Sequence, residues 1–400
     1  MKKILAVLLT AVLLAGCAVG TPKNNESTEE DYTTGKYQDT EVRGVWISFS
    51  EINSMLQSPD GFKAAFSAAV SNCSELGINE IYIHVRAYCD SLYPSELFPL
   101  TDDAKGLDYD AFAYALELCH SAGIKVHAWI NPYRVLSRSE DIEKAGQDSP
   151  AYKWLNDDDA DNDLNVIKYK GIYLNPAQDE VRELIINGVK EIVSTYAVDG
   201  IHLDDYFYPT ADPEFDRTSY EKYCADTQKP LSLAEWRRSN VNMMISGCYN
   251  AVKFENKNTE FSVSPMASVD KNYNELFADV REWIKCGYID YIIPQLYFGY
   301  EYPDDEFEFE NLLKEWIKLS KINGSVGLKI GLAPYKINPT LEADKAEWEN
   351  GTDIISRQAL ECRKNGNVSG YVLFSYSSLF SREEVNTLQR ENLKNAITAK

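Results

Sequence analysis

V-D-G-I-H-L-D-D-Y-F-Y-P, residues 198–209, is the stretch from which the rest of the chain can be read. Ile201, His202 and Leu203 follow a glycine and form a short strand. The strand delivers two adjacent carboxylates, Asp204 and Asp205. Three aromatic residues and a proline follow and halt regular structure. Acid groups at a strand end, beside flat ring faces, suit the cleavage of a sugar. The same letters also describe a strand closed by an aspartate-capped turn. Other segments decide between these readings, because they repeat the plan.

Upstream, Val42–Phe49, Glu80–Arg86 and Lys125–Ile130 have the β-branched and aromatic character of strands. Apolar spacing predicts helices over Phe62–Leu76, Tyr109–Ala122 and Glu180–Tyr196. Downstream, strands are expected at Phe261–Ser264, Tyr291–Leu296, Lys329–Ala333 and Gly370–Phe374. Helices are expected at Leu233–Asn256, Tyr273–Lys285, Phe307–Lys321, Asp353–Lys364 and Arg382–Ala399. With Ile201–Leu203 fourth in the series, this is the element order of an α/β fold, the (β/α)8 TIM barrel. Gly77, Gly123, Gly287 and Gly327 stand where a helix must turn back toward a strand. Residues 41–400 therefore read as one barrel domain with long insertions after strands three and four. The first insertion is expected to run irregularly from Asn131 to Pro176.

The first 40 residues belong to an address, not to the fold. Lys2 and Lys3 precede an apolar run, Ile4–Leu14, that is too short for a membrane span. Leu14-Ala15-Gly16-Cys17 then looks like a bacterial lipobox, which implies a signal peptide over 1–16 and lipid on Cys17. Residues 17–40 are polar and acidic and read as a flexible linker. The expected location is the cell envelope, anchored to a membrane and facing the periplasm or exterior. A net charge of −22 argues against a nucleic-acid partner, which would require a basic face. The seven cysteines after Cys17 show no C-x-x-C pair and read as small buried hydrophobes.

Barrel sites are built at the C-terminal ends of the strands. Those ends offer Trp46 from strand one, Arg86 and Asp90 from strand two, and His127, Trp129, Asn131, Tyr133 and Arg134 from strand three. Strand four offers His202, Asp204, Asp205, Tyr206 and Tyr208; strands six and seven offer Gln295, Tyr297 and Tyr335. The opposite strand ends are expected to carry little comparable chemistry. Strand alternation puts His202 and Asp204 on one face and Leu203 and Asp205 on the other, so Asp204 should face the barrel mouth. It is the expected nucleophile, or base for a water. Asp90, then Asp205, then Glu96 are candidates for the acid that protonates the leaving oxygen. Asp205 reads equally as a turn cap, or as a group that orients a loop or an arginine. The aromatic residues would stack on sugar faces, and Arg86 and Arg134 would hold a carboxylate or an N-acetyl oxygen. His84, His127 and His202 read as an interior hydrogen-bonded layer; the sharper alternative is a three-imidazole metal centre with Asp204. No cofactor and no metal are expected.

The segments R-G-V-W (43–46), V-R-A-Y-C-D-S-L-Y-P-S (85–95), H-A-W-I-N-P-Y-R (127–134), W-R-R-S-N-V-N (236–242), D-Y-I-I-P-Q-L-Y (290–297) and G-L-A-P-Y-K (331–336), together with 198–209, resemble the glycosyl hydrolase-like 10 family of bacterial (β/α)8 barrels. The resemblance implies a glycoside hydrolase acting on a bacterial glycan, plausible substrates including the glycan strands of peptidoglycan. Asn175-Pro176-Ala177 and Phe298 depart from the family's pattern. Two other readings stay open: a glycan-binding lipoprotein without chemistry, and a metal-dependent hydrolase or deacetylase.

Overall fold

The computed structural model describes residues 41–337 and 345–398. The calls on the signal segment, Cys17 and the linker lie outside the described residues. Eight parallel strands close into a barrel: β1 (Val42–Ile47), β2 (Glu80–Arg86), β3 (Lys125–Ile130), β4 (Gly200–Leu203), β5 (Glu260–Val263), β6 (Tyr291–Ile292), β7 (Gly327–Leu332) and β8 (Gly370–Leu373). Each strand pairs with its sequence neighbours, and β1 closes on β8 through Val42 opposite Gly370. The (β/α)8 expectation is met.

Alternation along each strand makes two cores. Val45, Ile81, Ile83, Val126, Ala128, Ile201, Leu203, Phe261 and Val263 pack outward, in the large cluster shared with the helices. Trp46, Tyr82, Trp129, Ile293 and Val372 fill the barrel interior as a second cluster. Gly200 is needed where it stands: a Cβ there would lie 2.1 Å from His127 Nδ1, so only glycine lets that ring lie against β4.

Three elements differ from the sequence expectation. The helix expected over 273–285 is two short ones, Val269–Asn274 and Val280–Cys286, separated by a turn in which Phe277 adopts a φ of 53°. Strand six is only Tyr291–Ile292, because Pro294 has no N–H for the ladder. The first insertion is not irregular throughout. Arg134–Ser137, Gly171–Leu174 and Val166–Lys168 form a three-stranded antiparallel sheet in that order, and Pro150–Asn156 is helical. The second insertion is pinned from beneath. Arg237 of the helix Leu233–Glu255 forms a buried ion pair with Asp216 and donates to the carbonyls of Ala211 and Asp212.

The floor of the barrel overturns the expectation that its N-terminal end is chemically plain. Lys329 Nζ lies 2.8 Å from Glu80 Oε2 and 3.1 Å from Glu260 Oε2, with the Tyr82 hydroxyl at 3.2 Å. His127 Nε2 is 3.4 Å from Glu80 Oε2. Burial alone would raise the Glu80 pKa, but the Lys329 ammonium and His127 outweigh it and hold the carboxyl well below its usual range. Burial alone would lower the Lys329 pKa, and the two carboxylates reverse that too. Glu80, His127 and Glu260 lie close enough to resemble a metal cage. The Lys329 ammonium already supplies a cation to both carboxylates.

Candidate active site

The mouth is built from residues that continue the inward faces beyond the last strand hydrogen bonds. Trp129, His202 and Ser262 are register neighbours on β3, β4 and β5. The Trp46 indole N–H donates to His202 Nε2 at 3.0 Å, and His202 Nδ1 lies 2.9 Å from Ser262 Oγ. An indole N–H can only donate, so the imidazole proton sits on Nδ1 and points at the serine. Burial, then the electrostatic influence of His127, Lys329 and His84, keep this ring neutral by pushing its pKa well below the usual value. His202 is thus a fixed floor under the site, with both nitrogens occupied.

Asp204 stands one layer above. Its Oδ2 accepts from Trp129 Nε1 at 3.0 Å and its Oδ1 from the Tyr206 backbone N–H at 3.2 Å. Leu203 is buried in the outer core, so the expected orientation of Asp204 holds. Only 4% of the residue is exposed. Burial first, then the charge of Asp205, raise its pKa to about 8; Arg134 and the two N–H donors oppose the rise. At neutral pH Asp204 is therefore mostly protonated.

Asp205 is where simple alternation misleads. β4 ends at Leu203, and the turn brings Asp205 round to the same mouth. It is half-buried, hydrogen-bonded by the Gln295 side chain, and attracted by Arg134. Burial raises its pKa as well. The Arg134 guanidinium lies 3.7 Å from the Tyr206 ring centroid and 5.7 Å from that of Tyr88. Across the opening, Tyr297 stacks on Phe374 with centroids 5.9 Å apart, and Tyr335 meets both rings edge-on. Burial, then Tyr335, Asp205 and Asp204, raise the Tyr297 pKa well above its usual value. Tyr206 and Tyr335 are exposed at the rim.

Asp204, Asp205, Trp46, Trp129, Arg134, His202, Tyr206, Gln295, Tyr297 and Tyr335 thus gather as one site or its floor. Other candidates do not. Period two would aim Arg86 inward, but the β2–β3 register shifts between His84 and Arg86. Its guanidinium instead lies over Phe98 and against Gly188 of the helix Asp179–Thr195, where a Cβ would be 2.2 Å from Nη1. Tyr133 is fully buried beside Arg182 and Cys248 of the outer helices. Tyr208 packs with Phe215, Phe277 and Arg237. His127 belongs to the charged network at the N-terminal end of the barrel, beside Glu80. Asn131 ties two loops together, donating to the Ala87 carbonyl.

Neither of the more remote acid candidates joins the pair. The Asp90 carboxyl bonds to Thr101 and to backbone N–H groups of its own loop. It lines a cavity of about 610 Å³, with Tyr88, Asp102, Lys105, Glu143 and Lys144, to which neither Asp204 nor Asp205 contributes. Glu96 is exposed, its backbone N–H held by Glu191 on an outer helix. Among the described residues, the three strand histidines form no common ligand set. His84 stacks on Trp129 with centroids 3.7 Å apart, and burial followed by Arg134 keeps it neutral.

Phe374 and Glu51 were missed. Glu51, buried in the short helix after β1, accepts from Ser48 N at 2.6 Å, Ser48 Oγ at 2.7 Å, Ser375 Oγ at 2.8 Å and Ser377 N at 2.5 Å. It clasps the ends of β1 and β8 under the aromatic wall. Two of its partners, Ser375 and Ser377, lie over 300 positions away in sequence, beyond the reach of any local pattern.

The sequence profile of the family described as Glycosyl hydrolase-like 10 matches residues 41–350. Glycosyl hydrolase YngK of Bacillus subtilis (strain 168) is 30% identical over 369 residues, covering 85% of this chain and 69% of that protein. Glycosyl hydrolase DigH of Escherichia coli (strain K12) is 28% identical over 415 residues, covering 92% of this chain and 91% of that one. Among solved structures, the glycoside hydrolase domain of PgaB (BpsB) from Bordetella bronchiseptica superposes with a TM-score of 0.57 at 13% identity. That match covers 88% of this chain and 99% of the domain, a likeness of fold.

Proposed function

The chain belongs to the glycosyl hydrolase-like 10 family, and from that premise we propose that it hydrolyses O-glycosidic bonds in a bacterial cell-wall glycan, with the glycan strands of peptidoglycan as the first substrate to test. The observation that carries this reading is the pair Asp204–Asp205 at a ring-lined barrel mouth. One carboxyl is buried, with its pKa raised to about 8; the other is half-buried, bonded to Gln295 and attracted by Arg134. An acid kept neutral by poor solvation is the proton donor that a glycosidic leaving oxygen requires. Asp204 therefore takes the donor's role, the reverse of the role expected from its position alone. Asp205, whose charged form the Gln295 side chain and Arg134 favour against the effect of burial, takes the partner's role. Trp129, Tyr206, Tyr297 and Tyr335 supply ring faces for sugars.

The lipobox ending at Cys17 supports an anchored enzyme at the outer face of a membrane, where such a glycan lies. The test is incubation of the purified protein with cell-wall glycan strands, with and without stem peptides, followed by mass analysis of the fragments. New reducing ends that are lost in Asp204→Asn are expected. Retention of glycan without any fragment, across the pH range, would leave a binding protein in place of an enzyme.

A further inference from the structure

A cavity of about 610 Å³ opens next to the acid pair, between the loop after β2 and the insertion after β3. Tyr88 forms the shared wall. It lines the cavity, and its ring lies 5.7 Å from the Arg134 guanidinium, which stacks 3.7 Å from the Tyr206 ring. Tyr206 in turn gives its backbone N–H to Asp204 Oδ1 at 3.2 Å. Val135 and Leu136, next in sequence after Arg134, also line the cavity. The two spaces are thus neighbours across a single arginine. The cavity's lining is unlike that of the mouth. Ring faces give way to carboxyls, those of Asp90, Asp102, Asp103, Glu143 and Asp148, against the ammonium groups of Lys105 and Lys144. Lys105 is already bonded to Asp102 at 2.7 Å, so the remaining balance is negative. Burial raises the Asp90 pKa, and the charge of Asp102 adds to the rise against bonds from Thr101 and the loop backbone. Two uncharged side chains are independent signs of a guest. Ser149 Oγ lines the cavity, is fully buried, and lacks a hydrogen-bond partner among the described residues; the nearby Cys89 thiol is a weak one at most. A smaller pocket of about 50 Å³ shares Tyr88, Asp90 and Thr101 with the cavity, and both nitrogens of His84, which lines it, are likewise buried without partners. Buried polar atoms in proteins are nearly always hydrogen-bonded, so these side chains await a polar group.

Resting on the hydrolase reading above, we propose that this cavity is a subsite for a primary ammonium group carried by the glycan beside the bond being cut. An ammonium has three donors and no acceptor, which matches a lining of carboxylates and a buried hydroxyl. A neutral acetamide brings no charge to offset the carboxylates, and an anionic group is repelled by them. Two parts of a cell-wall glycan carry such an amine: a hexosamine that has lost its acetyl group, and the diamino acid of a stem peptide. Either enters past Arg134 while the neighbouring sugar lies over Asp204. The mouth then selects the sugar that is cut, and the cavity selects what stands next to it. The cavity sets specificity and takes no part in the proton transfers.

The test compares strands that differ in the amine. Peptide-free peptidoglycan strands are offered fully N-acetylated or partly N-deacetylated; strands with stem peptides are offered with the diamino acid amine free or formylated. In at least one pair, kcat/KM is expected to be about 10-fold higher for the amine-bearing member, the size of a charged hydrogen bond. The gain should lie in KM, because the group is remote from the reacting atoms, and should shrink as salt is raised. The pair that shows it identifies the source of the amine. Glu143 and Asp148 are exposed, so replacing both, Glu143→Gln with Asp148→Asn, should leave a folded protein, checked by its melting curve, that has lost most of the preference. Equal rates within both pairs overturn the proposal and leave the hydrolase reading standing, and so does a preference that the double variant keeps in full. Cleavage of no strand overturns the hydrolase reading. Calorimetric titration with the same strands then decides the cavity: tighter binding of the amine-bearing member, lost in the double variant, supports the subsite, and equal affinities overturn it.

Discussion

At the scale of single residues, the site is governed by what burial does to a carboxyl group. Asp204 is held in a covered position and retains its proton until about pH 8. A carboxyl whose pKa is raised by folding binds a proton that the unfolded chain has released, so stability declines as the pH rises from the usual aspartate range toward 8. Asp204→Asn removes that burden. It should lower turnover about 10²–10⁴-fold by removing the proton donor. At pH 7.5 it should raise stability by roughly 1–3 kcal/mol, since one pKa unit corresponds to about 1.4 kcal/mol and the attraction to Arg134 is forfeited. A melting curve and an initial rate on the same sample check both. The activity profile should be bell-shaped, falling above about pH 8 as Asp204 ionises. On the acid side it should fall as Asp205 takes up a proton, at a pH above the ordinary aspartate range because its pKa is raised too. Trp129→Phe deletes an N–H that favours the Asp204 carboxylate. The basic limb should therefore move to higher pH, and an unmoved limb would remove Trp129 from the account.

Among the elements, a short helix and a register shift decide more than their length suggests. The helix Phe49–Met55 exists to deliver Glu51, whose oxygens accept from residues at the ends of both β1 and β8. Glu51→Ala would leave the backbone N–H groups of Ser48 and Ser377 without their acceptor. Each such loss costs about 1–3 kcal/mol when water cannot replace it. The expected result is a lower melting temperature together with reduced kcat, because Phe374, the support of Tyr297, sits next to Ser375. Denaturation and steady-state kinetics would show it; a kinetic defect without any loss of stability would point to a direct role in the reaction. The irregularity in β2 acts in the other direction. It turns Arg86 out of the barrel, so a residue that local spacing assigns to the mouth becomes a contact with the helix Asp179–Thr195.

For the whole molecule, the barrel separates two kinds of charge by depth. The mouth holds carboxyls whose pKa values are raised, available for proton transfer. The floor holds Glu80, whose pKa is depressed, and Lys329, whose pKa is raised, locked together beside Glu260 and His127. Lys329→Met would bury two carboxylates without their cation, and breaking such a pair from one side costs about 3–5 kcal/mol. Chemical denaturation should show that loss while Asp204 chemistry persists in the folded fraction. The sign of the pH dependence is also set. Because the Glu80 pKa is depressed by folding, its stabilisation is full above the usual glutamate value of 4.5 and is lost as the pH falls below it. Lys329→Met should flatten this acid limb, measured as melting temperature against pH. The mutant's limb remaining as steep as the wild type's would assign acid sensitivity to other groups.

The order of strands and helices, and with it the barrel and the end at which Asp204 emerges, was determined by the sequence alone. Hydrophobic alternation is a local property, and Leu203 needs only its neighbours to declare which way Asp204 faces. Where regular structure stops, that logic stops with it. Asp205 lies one residue past β4 and Arg86 lies past a register shift, so alternation misassigned the orientation of the first and the location of the second. Tyr133 and His127 failed for a related reason: period two reports a face, or an exit from a strand, but not a depth. The floor network joins Glu80 to Lys329 across 249 positions, and the clasp joins Glu51 to Ser375 across 324. Only closure of the barrel brings those charges and donors within hydrogen-bond reach, and only the resulting exclusion of water gives Asp204 a proton to donate.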